Sequence, residues 1–228
     1  MADVTLTYKG STIAEMSDTG TKTLKTAGKY CEGDIGVSYV KPSSGGTSDD
    51  LAKKMITREG IITELPSDIT KIGDSAFRRC TNLALTSLPN GITSIGMFAF
   101  SECGKALTLS SLPDSVTSIG QQTFERTNIT ITTLPSGITE IPYEAFSYCV
   151  MLTSMTFPQN IDAIRSFAFE HCSRLTTITF KGTPSSIASN AFLSCNKITT
   201  INVPWAEGAV ANAPWGATNA TINYNYTE

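Results

Sequence analysis

The chain of 228 residues is short of charge: 16% is Asp, Glu, Lys or Arg, against about 25% in an ordinary soluble domain. Its net charge of −3 argues against nucleic acid as a main partner, because a phosphate backbone selects for clustered Lys and Arg. A single histidine, His171, is present, so any Ser-His-Asp or Cys-His mechanism must run through it. No run of about 18 apolar residues occurs, which excludes a membrane-crossing helix. The opening Met1-Ala2-Asp3-Val4-Thr5-Leu6-Thr7 has neither the basic start nor the apolar stretch of a secretory signal. The expectation is synthesis in a cytoplasm, followed by retention there or release by lysis. What replaces charge is hydroxyl, since Ser and Thr make up about a quarter of the chain. With 40% apolar residues, the chain can bury a core and does not read as disordered.

Self-similarity dominates from residue 61 onward. A phenylalanine recurs at Phe77, Phe100, Phe124, Phe146, Phe169 and Phe192, with spacings of 23, 24, 22, 23 and 23. Five residues before each stand Ile72, Ile95, Ile119, Ile141, Ile164 and Ile187. Ala76, Ala99, Thr123, Ala145, Ala168 and Ala191 come directly before it, and Cys80, Cys103, Thr127, Cys149, Cys172 and Cys195 come three after. Apolar-Pro pairs such as Leu65-Pro66, Leu88-Pro89 and Leu134-Pro135 mark most unit boundaries. A unit of about 23 residues cannot bury its own apolar side chains, so it must stack on its neighbours and share one continuous core. The expected architecture is an α/β solenoid of six such units. Each is expected to have a strand before the Pro and a short helical turn carrying Ala-Phe-x-x-Cys inward. The strand comes in two spacings, Leu83-x-Leu85-x-x-Leu88 in the first three units and Leu152-x-x-Met155-x-Phe157 in the last three. That change predicts a bulge or a change of curvature between units three and four.

The motif L-P-x-x-[IV]-x-x-I-x-x-x-A-F-x-x-C resembles the BspA-type leucine-rich repeat. The resemblance covers roughly residues 61–203, and implies a fold rather than one function, because that family includes surface adhesins, secreted proteins and phage-borne proteins. A second resemblance lies at the two ends. Thr23 to Val37 is similar to a segment of tail and fibre proteins of phages and prophages. So are Val203-Pro204-Trp205-Ala206-Glu207-Gly208 and Asn212-Ala213-Pro214-Trp215-Gly216-Ala217.

Outside the repeats, residues 1–41 alternate apolar and polar and read as a small all-β attachment module. Residues 42–50 read as a flexible linker, 51–60 as a capping helix on the first coil, and 61–203 as the solenoid. Residues 204–228 read as a C-terminal cap, with Trp205 and Trp215 as plugs and Thr221-Ile222-Asn223-Tyr224 as a last strand.

The chemistry-bearing residues favour structure over catalysis. Five of the six cysteines, Cys80, Cys103, Cys149, Cys172 and Cys195, share one register and read as a ladder of buried thiols. No pair has the spacing of a zinc site, and Cys31 stands apart. His171 occupies a position that elsewhere holds Arg79, Glu102, Arg126, Tyr148 and Ser194, which marks an exposed turn. Gly28-Lys29 lacks the partner glycine and hydroxyl of a phosphate loop. No catalytic residue, metal or cofactor is expected. The candidate recognition face is the outward side of the late strands: Thr153, Ser154 and Thr156, then Thr176, Thr177 and Thr179, then Thr199, Thr200 and Asn202. It is flat and uncharged, and it lacks the Trp and Tyr that stack on sugars.

The end segments imply a non-enzymatic particle component of the virion. Its N-terminal module would hold other virion proteins, and its solenoid would face a host surface protein or glycan. The β module is the candidate for homotrimer formation. The alternative is a bacterial cell-surface or secreted adhesin.

Overall fold

A computed structural model describes residues 4–8, 11–16, 22–24, 37–40, 65, 69–81 and 83–227. The isoleucine five residues before each Phe forms the first structural row. It sits in a two-residue strand: β5 (Lys71–Ile72), β6 (Ser94–Ile95), β7 (Ser118–Ile119) and β8 (Glu140–Ile141) in the first four coils. The same strand in coils five and six is β10 (Ala163–Ile164) and β12 (Ser186–Ile187). These strands pair in parallel, Ile on Ile, with the Ile in the core and its neighbour at the surface except in β10, where Ala163 is buried too. They lie outside the segment that the sequence marks as strand.

In the last three coils the residues before the Pro add a second row. It comprises β9 (Ser154–Phe157), β11 (Thr177–Phe180) and β13 (Thr200–Asn202), continued by β14 (Thr221–Asn223) of the cap, which acts as a seventh turn. The sheet order is β14-β13-β11-β9. In the first three coils the corresponding segments, expected as strands, form no continuous strand among the described residues, and the third meets the late sheet through a single bridge, Thr133↔Thr156. Spacing explains it. Leu83, Leu85 and Leu88 step by two and then by three, which flips the strand face, whereas Met155-x-Phe157 alternates cleanly. The row of two-residue strands also breaks between β7 and β8, at the point where the spacing changes.

The Phe turns are not helical. No helix occurs among the described residues, so the fold is parallel strands joined by turns. In each turn the residue two after the Phe is left-handed: Arg79, Glu102, Arg126, Tyr148, His171 and Ser194 have φ between 56° and 62°. The residue two before it is left-handed in the first five coils: Ser75, Phe98, Gln122, Glu144 and Phe167. A helix cannot pass two such residues, each of which costs about 1–2 kcal/mol at a non-glycine position. The cost is offset by a hydrogen bond to the next coil: the Arg79 N–H donates to the Ser101 carbonyl at 2.8 Å, and Tyr148 N–H to Glu170 at 2.7 Å.

Four strands precede the solenoid: β1 (Val4–Tyr8), β2 (Ser11–Met16), β3 (Lys22–Leu24) and β4 (Val37–Val40). They pair antiparallel in the order β4-β1-β2-β3, and β3 then lies parallel beside β5. These strands therefore extend the first coils' sheet, and a self-contained all-β module on residues 1–41 finds no support. The linker 42–50, the helix expected on 51–60 and Cys31 lie outside the described residues.

Stacked Phe rings form the core. Phe77, Phe100, Phe124, Phe146, Phe169 and Phe192 follow one another with centroids 5.1–5.5 Å apart and near-parallel planes. All are buried, and burial of each contributes about 1.5–3 kcal/mol. Beside them runs a thiol row. Sγ of Cys103, Cys149, Cys172 and Cys195 donates to the carbonyl of Phe77, Phe124, Phe146 and Phe169 respectively, always in the preceding coil, at 2.8–3.1 Å. Thr127 turns its hydroxyl to its own coil, donating to Phe124 O at 2.6 Å. Cys80 departs from the expected row of free thiols, because it is disulfide-bonded. Burial pushes the Cys149 thiol up to about 12 and raises Cys172 well above its ordinary value. These groups stay protonated and poorly nucleophilic.

Candidate recognition face

The late strands bring six of the nine candidate residues onto one parallel sheet, and Thr153, Thr176 and Thr199 stand directly before its strands. Ser154, Thr177 and Thr200 stand in register, as do Thr156, Thr179 and Asn202. The sequence marks Thr221-Ile222-Asn223-Tyr224 as a last strand but leaves it outside the candidate face. The structure continues both columns through Thr221 and Asn223 of β14, and a bridge adds Thr133 beside Thr156. The available signal was the tripeptide Thr-Ile-Asn, present at 200–202 and again at 221–223.

Accessibility along the face is graded. Thr153, Thr176 and Thr199 are exposed, and Ser154, Thr156, Thr177, Thr179 and Thr200 are half-buried. Asn202, expected to point outward, is buried. Its amide donates to Thr179 Oγ1 at 3.3 Å and accepts from Asn223 Nδ2 at 2.8 Å. Both neighbours sit on strands in register with its own, and they close around it. Part of the hydroxyl capacity is also used internally, since Thr176 Oγ1 donates to the Thr153 carbonyl at 2.9 Å. What remains is a rigid, uncharged array of donors and acceptors repeated at the spacing of parallel strands, about 4.8 Å. Such an array can order polar groups of a partner. It offers no group with a shifted proton affinity.

On the opposite edge, the turns carry a stacked column. The Arg126 guanidinium lies 4.4 Å from the Tyr148 ring centroid, and Tyr148 stacks on His171 at 4.5 Å. His171 Nε2 is 3.9 Å from Glu170 Oε1, and the imidazole is 43% exposed. The lone histidine is thus packed as a surface stacking partner.

The two ends of the bend side differ in shape. Among the described residues, coils one to three enclose a groove of about 690 Å³ whose lining includes Gly73, Gly96 and Gly120. The same register holds Pro142, Arg165 and Ala188 in coils four to six. Glycine is required at Gly96 and Gly120 because a Cβ there would lie 2.5 Å from Asp74 N and 2.4 Å from Met97 N, in the preceding coil.

The likeness to known proteins follows this geometry. The repeat matches the family described as BspA type leucine rich repeat region, in six copies, over residues 61–130 and 104–210. No curated protein matches the chain. Among solved structures, the pneumococcal vaccine antigen PcpA is similar with a TM-score of 0.55 at 19% identity, over 72% of this chain and 41% of that one. This chain thus spans about two-fifths of that antigen's length. A leucine-rich repeat protein from Bacteroides ovatus is matched over 96% of this chain and 70% of its own, at 18% identity and a TM-score of 0.45. A leucine rich cell surface protein from Faecalibacterium prausnitzii is matched over 74% and 61%, at 21% identity and a TM-score of 0.35. The match to the antigen shows the leucine-rich solenoid fold. Nothing in these matches supports the particle reading of the end segments, and the C-terminal one, from Val203 to Ala217, packs Trp205 and Trp215 against the last coils. Matched by its family over more than half its length, the chain belongs to the BspA-type leucine-rich-repeat proteins.

Proposed function

We propose that this protein is a non-enzymatic recognition solenoid displayed at a bacterial cell surface, the alternative that the sequence leaves beside a virion role. The observation that carries it is the sheet β9-β11-β13-β14, a rigid platform with in-register rows of Ser, Thr and Asn and no charge. Membership of the BspA-type family supports the reading, because leucine-rich solenoids are generally binding scaffolds. The similarity to a vaccine antigen points the same way. The solenoid's partner is a surface protein or glycan of another cell.

Two measurements test this. Antibodies against the repeat region should label intact, unlysed cells of the source organism. The triple variant Thr153→Ala, Thr176→Ala, Thr199→Ala should lose adhesion to host cells while remaining folded, since all three side chains are exposed. Absence of surface label, with the chain banding stoichiometrically in virus-like particles, would sink the surface reading and restore the particle one.

A further inference from the structure

The hydroxyl face lacks exposed aromatic side chains within its own coils, and the C-terminal cap supplies one. A pocket of about 210 Å³ is lined by Gln159, Phe180, Lys181, Pro204 and Tyr226. Each parallel strand of the face contributes a residue at or just beyond its carboxyl end: Gln159 follows β9, Phe180 ends β11 and Lys181 follows it, Pro204 follows β13 and Tyr226 follows β14. Carboxyl ends of parallel strands are where ligand crevices form in open sheets, because several chain segments diverge there.

The lining is pre-organised by backbone bonds. The Lys181 N–H donates to the Phe157 carbonyl at 3.1 Å, and the Tyr226 N–H to Val203 at 2.9 Å. Gly182 lies so close to Gln159 that an added Cβ would overlap its carbonyl, which locks the two rim segments together. Phe180 is buried, and Tyr226 is 37% exposed. The result is a shallow cup with apolar walls (Phe180, Pro204, Tyr226) and a polar rim whose Gln159 amide both donates and accepts.

We propose that this cup binds one pyranose unit of a glycan, the chain continuing over the hydroxyl columns of Thr156 and Thr179. The chemistry is matched in kind. A pyranose presents C–H faces to aromatic and proline rings and hydroxyls to an amide rim. The volume also falls below the 300–1,000 Å³ of sites for larger ligands. This inference rests on the recognition role proposed above and names its substrate class.

The test uses the full chain with three probes, the methyl glycosides of glucose, galactose and N-acetylglucosamine. Saturation-transfer NMR reads contact with Tyr226. Tryptophan fluorescence reads the site, because Phe180 lies 5.1 Å from Trp205 and 6.2 Å from Trp215, ring to ring. At least one glycoside should bind saturably with Kd of about 1 mM. Tyr226→Ala should weaken it about tenfold or more, Tyr226→Phe should retain it, and Gln159→Ala should weaken it less. Thermal midpoints should be unchanged, both residues being exposed. No saturable binding by any probe, or equal binding by Tyr226→Ala, overturns the assignment. Sugar binding that ignores Tyr226 would still leave the surface role standing, and failed cell labelling would sink that role without touching the pocket.

Discussion

Coils one to three and coils four to six share the same Phe, Ile and Cys registers, yet they build different walls. In the first half one row of two-residue strands joins the coils, and the bend is so tight that Gly96 and Gly120 sit against the backbone before them. In the second half two rows run side by side, and the bend accommodates Pro142, Arg165 and Ala188. The inward ladder therefore sets the stacking, while the apolar spacing before the Pro sets whether a second sheet can form. The recognition face exists only where that sheet exists.

The junction between the halves is the place to break the comparison first. Phe146 stacks 5.5 Å from Phe124 on one side and 5.1 Å from Phe169 on the other. Phe146→Ala should cost about 3–5 kcal/mol and let the halves unfold apart. Both tryptophans lie beyond coil six, so in urea the fluorescence midpoint should separate from the circular-dichroism midpoint. Coincident curves with little loss of stability would mean that the halves are not coupled through this ring.

A smaller effect sharpens the contrast. Gly96→Ala should cost about 1–3 kcal/mol through overpacking, since its Cβ meets backbone in the preceding coil. Arg165→Ala, at the same register of coil five, should change stability by about 0.5 kcal/mol or less. Equal losses in the two variants, read as urea midpoints, would remove the proposed difference in bend.

The smallest effect belongs to the second half. Arg165 Nε and Nη2 both donate to the Glu140 carboxylate at 2.9 Å, joining β10 to β8. That hydrogen bonding holds Glu140 below the ordinary carboxylate range. Its contribution is thus present above the unfolded-state value of about 4.3 and lost as pH falls through the folded one. Both side chains are about half exposed, 47% and 54%, so Glu140→Gln should cost about 0.5 kcal/mol at neutral pH. The difference between wild type and variant should shrink as pH falls below about 4, and a difference that does not change with pH would assign the effect to something other than the ion pair.

How much of this was legible in the sequence depended on the range of the interaction. The Phe, Ile and Cys registers were readable because stacking repeats one contact at a fixed period. The turns were misread as helical because Ala-Phe-x-x-Cys places apolar residues three and four apart, as a helix does. The left-handed residues that prevent a helix, Arg79, Tyr148 and His171 among them, are not glycines and leave no local mark. The strands at Ile72 and its equivalents are two residues long, too short to show alternation. The Thr columns were visible within the repeats, whereas the enclosure of Asn202 needs Asn223 of the cap as well as Thr179, and Tyr226 joins Phe180 in one pocket only through the fold of the cap.

The left-handed residue after each Phe has one more consequence. From Arg79 to His171 its backbone is tied to the following coil by an N–H bond, and the bond asks nothing of the side chain attached. Arg, Glu, Arg, Tyr, His and Ser succeed one another there on an unchanged chain path. The scaffold has, in effect, a strip of interchangeable letters along one edge, where new surface chemistry can be written without rewriting the fold.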